Sequence, residues 1–140
     1  MLLTLAALLA IAPPAPAANL GYYAQPAICG DRIVFQSGGD LWTAAIPADG
    51  TRAVARRLTG AAALEARPVL SPDGTRVAFM GYMDGNPEVY VLPVDGGIPR
   101  RLTFHPGRDI PVAWTPDGAS VLVRSSRANP MGIDELWKVP

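Results

Sequence analysis

One cysteine and one histidine are all the thiol and imidazole chemistry this 140-residue chain contains. A lone thiol closes no internal disulfide, and no metal-ligand spacing surrounds Cys29, so a disulfide framework and a zinc site of ordinary spacing are excluded. A single free cysteine reads instead as a small apolar core residue. A Ser-His-acid site would have to use His105, and no Gly-x-Ser-x-Gly elbow supplies it with a partner. Net charge is missing too: 12 basic and 12 acidic side chains balance. That argues against nucleic acid or an anionic membrane surface as the main partner, since both want clustered positive charge. No glycine-rich phosphate loop is present. The longest apolar run, Met1 to Ile11, is too short to span a bilayer.

What the chain does have is punctuation and repetition. It carries 14 Gly and 15 Pro, and 49 % of its residues are apolar. Many turns with enough apolar material for a core suit short strands and oppose long helices. One block recurs three times. Its clearest copy runs Ala66-Arg67-Pro68-Val69-Leu70-Ser71-Pro72-Asp73-Gly74, then Val77-Ala78-Phe79, then Glu88-Val89-Tyr90, and closes on Arg100-Arg101-Leu102-Thr103. The first copy has Pro26, Ile33-Val34-Phe35, Asp40-Leu41-Trp42 and Arg56-Arg57-Leu58-Thr59; the third has Pro111, Thr115-Pro116-Asp117-Gly118, Val121-Leu122-Val123 and Glu135-Leu136-Trp137. The prolines at 26, 68 and 111 set a period of 42 to 43 residues. Periods of 40–45 residues built from short strands are those of a propeller blade.

The fold predicted is therefore all-β: a partial beta-propeller of about three four-stranded blades, the third incomplete, over residues 19–140. The blades are placed at about 24–65, 66–109 and 110–140. Each is expected to open with its proline at the strand margin, where one ladder donor is lost cheaply. Ser71-Pro72-Asp73-Gly74 and Thr115-Pro116-Asp117-Gly118 read as type I turns closed by a glycine with positive φ. The strand after each turn is apolar on both sides, Val77 and Phe79 one way, Ala78 and Met80 the other. A sheet with one wet face would alternate apolar with polar, so both faces are expected to be covered, as in a blade between two neighbours. Residues 1–18 read as a secretory signal peptide: an apolar run, then Ala15-Pro16-Ala17 as a small-x-small cleavage site. The implied location is periplasmic or secreted, with a cytoplasmic protein as the alternative.

Residues that carry chemistry elsewhere read here as scaffold. His105 belongs to a solvent-exposed loop. Ser71 opens a turn and bonds the local backbone; Ser125 and Ser126 close a strand with nothing nearby to activate them. Asp31, Asp73, Asp84, Asp95 and Asp117 accompany glycines at turns, without the ligand density of a calcium loop. Arg56-Arg57 and Arg100-Arg101 could clamp a carboxylate, but they recur at a fixed blade position, and tandem residues in a strand point to opposite faces. No catalytic, cofactor-binding or metal-ligating residue is assigned, and no cofactor is expected.

The Ser-Pro-Asp-Gly turn, the aromatic third strand and the closing Arg-Arg-Leu-Thr resemble the WD40-like (PD40-type) repeats of TolB and of the tricorn protease family. Three details are similar to the tricorn N-terminal propeller: Cys29-Gly30-Asp31-Arg32-Ile33-Val34-Phe35 followed by Asp40-Leu41-Trp42, Glu88-Val89-Tyr90 after Gly85-Asn86-Pro87, and Arg124-Ser125-Ser126-Arg127 before Leu136-Trp137-Lys138. Cys29 stands where that motif usually has histidine. The resemblance implies a six-bladed propeller that is scaffold and peptide-access filter in a homo-oligomeric serine peptidase, with proteolysis done by downstream domains. Peptides or proteins are the implied partners. The alternatives are a TolB-like envelope propeller for protein–protein interaction and the propeller lid of a prolyl-oligopeptidase-type hydrolase. On this view the chain is a fragment with bare blade faces. Residues 19–140 alone should then be poorly soluble or partly molten, which size-exclusion chromatography and near-UV circular dichroism check: a sharp monomer with fixed aromatic signals is the contrary result.

Overall fold

The computed structural model describes residues 22–128 and 131–140; the leader segment 1–18 lies outside them. Eleven strands follow one another: β1 Ala24–Cys29, β2 Arg32–Ser37, β3 Asp40–Ala45, β4 Arg56–Arg57, β5 Glu65–Leu70, β6 Arg76–Gly81, β7 Glu88–Pro93, β8 Arg100–Arg101, β9 Asp109–Trp114, β10 Val121–Ser125 and β11 Glu135–Val139. They form three antiparallel meanders, ordered β1-β2-β3-β4, β5-β6-β7-β8 and β9-β10-β11. No helix occurs among the described residues. The architecture is that of a partial beta-propeller, with two four-stranded sheets and a three-stranded third.

Local chemistry sets the hairpins. At 71–76 the Gly74 amide donates to the Ser71 carbonyl at 2.9 Å, and Gly74 sits at φ 68°. The Ser71 hydroxyl donates to Asp73 at 2.6 Å while accepting from the Arg76 amide at 2.9 Å. Asp73 also accepts from the Thr75 amide and hydroxyl, at 3.1 and 2.9 Å. These bonds, led by that from Ser71, pull the Asp73 pKa down to about 2. The Thr115–Ser120 turn repeats the pattern, with Gly118 at φ 66° and Asp117 accepting from Thr115 and Ala119. In both aspartates Oδ1 accepts all of these bonds from within its own turn.

The prolines do not sit at the strand margins. Pro26, Pro68 and Pro111 lie inside β1, β5 and β9, and each strand carries a bulge there. Ladder register slips between Ala24 and Ala27, between Ala66 and Val69, and opposite Leu122/Val123. At the first two bulges the proline falls in the stretch that has left the ladder and costs no pairing donor, whereas at the third Pro111 stays opposite Val123 and Val112 is the residue left out.

The core lies between the sheets. Val34, Leu41 and Leu58 of the first sheet meet Val77, Phe79, Tyr90 and Leu92 of the second. On the far side of the second sheet, Ala78, Val89 and Val91 meet Val121 and Val123 of the third, and Ala66 and Met80 meet Ile110. β6 thus sends alternate side chains into two different seams, as its unbroken apolar sequence requires. β2 and β10 each bury one face in this way; the other face of the first sheet carries an apolar concavity of about 450 Å³ walled by Tyr23, Ile33, Phe35, Ala44 and Ile46. Phe79 is wholly buried and stacks on Tyr90 at 5.8 Å between ring centroids. Phe79→Ala should lower stability by about 4 kcal/mol, the cost of a lost buried ring and the cavity it leaves, measured by chemical denaturation of the full chain.

Candidate functional site

β1 packs beside β5, and β5 beside β9. These first strands converge, while β4 and β8 form the outer margins of their sheets. The bulges act along this inner line. Gln25 and Arg67, each preceding a proline, take positive φ of 51° and 53°. A left-handed backbone costs a non-glycine residue on the order of 1 kcal/mol, and such strain persists only where the surroundings hold it. The hold is visible: the Arg67 amide, released from its own ladder by the bulge, donates to Gln25 Oε1 in the neighbouring sheet at 2.6 Å. Gln25 and Arg67, with Val112 at the third bulge, remain exposed along the line.

At one end of the sheets sits a polar unit built from the third strand and the Arg-Arg-Leu-Thr segment. Glu88 opens β7 and is wholly buried. Its carboxylate accepts from Arg101 Nη2 at 2.7 Å, from Asn86 at 2.9 Å and from the Thr103 hydroxyl. Thr103 in turn accepts from the Val89 amide at 2.9 Å, and the Leu102 amide donates to the Val89 carbonyl at 2.7 Å. Arg101 also reaches Asp84 at 3.0 Å and lies over the Phe104 ring. Asp84 accepts from the Tyr90 hydroxyl at 2.7 Å. Burial first, and then that bond to a carboxylate, push the Tyr90 pKa up to about 12. The first sheet builds the same unit with Asp40 and Arg57 at 2.7 Å, and with Thr59 accepting from the Leu41 amide at 2.9 Å.

The other recurrent arginines and acids join sheets. Arg56, which points away from Arg57, donates to the Val94 carbonyl of the second sheet at 2.8 Å and lies 3.5 Å from Asp95. Arg76 donates to the Gly118 carbonyl of the third sheet at 2.7 Å and stacks on Trp114, whose indole donates to the Val69 carbonyl at 3.0 Å. Cys29 is not a core residue. It is partly exposed, and its thiol donates to the Pro72 carbonyl one repeat along at 3.3 Å. His105 is half-buried rather than free in solvent: its Nδ1 accepts from the Gly107 amide at 2.9 Å, and its carbonyl accepts from Asn86. Ser71 is wholly buried in its turn, and the buried Ser125 hydroxyl accepts from Arg127. Among the described residues no three His, Cys, Asp or Glu side chains gather in a metal-holding arrangement.

Sequence inspection alone did not identify the acid partners of the arginines. Its signal is nonetheless present: an acid, Asp40, Glu88 or Glu135, opens the third strand of every repeat, directly before the apolar-aromatic pair.

The chain matches the family model described as the tricorn protease N-terminal beta propeller domain over residues 20–140. Tricorn protease homolog 1 of Streptomyces coelicolor is 42 % identical over 107 residues, which cover 76 % of this chain and 9 % of that protein. The chain spans about a tenth of the length of the curated relatives it matches. Among solved structures, the tricorn protease superposes with a TM-score of 0.65 at 22 % identity, covering 79 % of this chain and 11 % of that one. TolB from Acinetobacter baumannii superposes with a TM-score of 0.60 at 21 % identity, covering 84 % and 29 %. At these identities the structural likenesses speak to the fold.

Removing the arginine of the acid–arginine–threonine unit leaves a buried carboxylate without its cation, a loss of about 3 kcal/mol. Arg101→Met should show that loss in chemical denaturation. The double variant Arg101→Met, Glu88→Gln should recover most of it, since no bare charge then remains.

Proposed function

This chain belongs to the family of tricorn protease N-terminal beta propeller domains, and from that premise we propose that it works as scaffold and peptide-access filter of a tricorn-like serine peptidase. Bond cleavage falls to downstream domains of the parent protein, which is a homo-oligomer exported to the periplasm or beyond. The observation that carries this reading is the family match over residues 20–140, joined to a geometry that can select without reacting. In this reading the inner strands line the axis of a ring, and Gln25, Arg67 and Val112 project along it. An aperture so lined admits an extended peptide and turns away a folded protein. The first two bulges there are tied to each other by a side-chain bond between sheets. The blades divide at about residues 65 and 109, with residues 1–18 as the export signal.

A second reading is a TolB-like envelope propeller that binds proteins and cleaves nothing, a function the same fold would serve. Reading the gene beyond codon 140 separates the two. A PDZ-like segment and a serine-peptidase core are expected, and the whole protein should hydrolyse peptides while residues 19–140 alone should not. A reading frame that ends after the propeller supports the TolB-like alternative, and an α/β-hydrolase domain with Gly-x-Ser-x-Gly supports an oligopeptidase lid.

A further inference from the structure

At the seam between the first and second sheets lies a buried carboxyl with no cation of its own. Glu65 opens β5 and is wholly buried; its amide donates to the Gly39 carbonyl at 2.9 Å. Neither of its carboxyl oxygens finds a well-formed hydrogen bond or a cation; the Thr59 hydroxyl and the Leu41 amide are the donors that approach it. Asp109 holds the same place at the next seam. It opens β9, is wholly buried, and its amide donates to the Pro87 carbonyl at 2.9 Å. Asp109, however, is bonded to Arg127. Ladder register shows what replaces that arginine at the first seam. Glu65 pairs with Gly81 as Asp109 pairs with Ser125, and two residues further along stand Met83 and Arg127. A half-buried thioether packed on the apolar seam occupies the position of a guanidinium.

The charged groups around Glu65 do not supply the missing cation. From β3 and β4 it meets Asp40 and Arg57, which are already paired with each other at 2.7 Å. The adjacent Thr59 hydroxyl accepts from the Leu41 amide. Across Gly81 in the same ladder row, Glu88 is committed to Arg101 and Thr103, and the Tyr90 hydroxyl to Asp84. Cys29 and Arg32, the titratable groups of β1 and β2, lie at the opposite end, as does Arg76 of β6. Asp109 of β9 keeps to Arg127. Burial is the main cause that raises the Glu65 pKa above its ordinary value of 4.5; the Thr59 hydroxyl opposes it by hydrogen bonding, Asp40 adds to it, and the Leu41 amide and Arg57 oppose it more weakly.

We propose that the seam between the first and second sheets is a pH-responsive joint, closed most firmly when the unpaired Glu65 carboxyl carries a proton and loosened when it does not. The folded chain holds this proton more tightly than the unfolded chain. The stabilisation is therefore complete below the unfolded value and is lost as pH rises through the folded one.

Chemical denaturation of the full chain from mildly acidic to mildly alkaline pH tests the joint, together with difference infrared spectra over the same range. The wild-type midpoint should fall as pH rises, and a protonated-carboxyl band should persist above the ordinary glutamate range. Glu65→Gln should remove both the band and that part of the fall. Met83→Arg should restore the missing cation and likewise abolish the fall. An unchanged band and slope in Glu65→Gln would overturn the proposal. Should that variant fail to fold, a Met83→Arg protein with the wild-type pH slope would overturn it instead.

Discussion

The middle sheet of this protein is apolar on both faces, and that constraint organises everything else. A two-faced apolar sheet has no stable place next to water. It must be one layer in a stack, and the order of the stack follows the order of the chain. β6 shows the demand most plainly: Val77 and Phe79 serve one seam, Ala78 and Met80 the other, within six residues. Because successive sheets share seams rather than one common centre, the energetics are those of nearest neighbours. The glycine at the end of β6 belongs to the same demand. A Cβ at Gly81 would stand 3.1 Å from the Tyr90 ring, so the smallest residue is what lets that ring lie across the sheet.

Stacking of this kind leaves a problem at the ends of the strands, where backbone groups and turns are pressed together without a ladder. Acids and hydroxyls solve it, in two ways. At one end Asp73 and Asp117 fold back on their own turns, each held by a hydroxyl two residues before it. At the other end Asp40 and Glu88 are held by an arginine and flanked by a threonine from the outermost segment, which ties the margin of the sheet to its third strand. The recurrent Arg-Arg pairs follow from this division of labour. One arginine of each pair secures its own sheet; in the first sheet the other reaches the next one, as Arg56 does at Val94.

How much was legible in the sequence depended on how local the cause was. The turns were readable because Ser71, Asp73 and Gly74 interact within a few residues. The two-sided burial of β6 was readable because periodicity reports which way neighbouring side chains point. The bulges were not, because a proline at a strand margin and a proline at a bulge leave the same mark; only the ladder opposite distinguishes them. Cys29 was misjudged for a related reason. Its environment is made by Pro72, one repeat away, and no local pattern tells of it. Glu65 and Asp109 passed unnoticed as well. Glu65 follows a run of alanines and Asp109 a polar turn, and neither local pattern announces a buried acid at the opening of a strand.

The bond from the Arg67 amide to Gln25 has a consequence for how such a protein can be rebuilt. The three units share a ground plan, yet the latch between the first and second needs an acceptor on the upstream unit. Arginine has none to offer. A tandem copy of the middle unit would set Arg67 against the amide of another Arg67, donor facing donor, and the joint would stand open. The units are therefore not interchangeable bricks. Their order is written into the few positions where they differ.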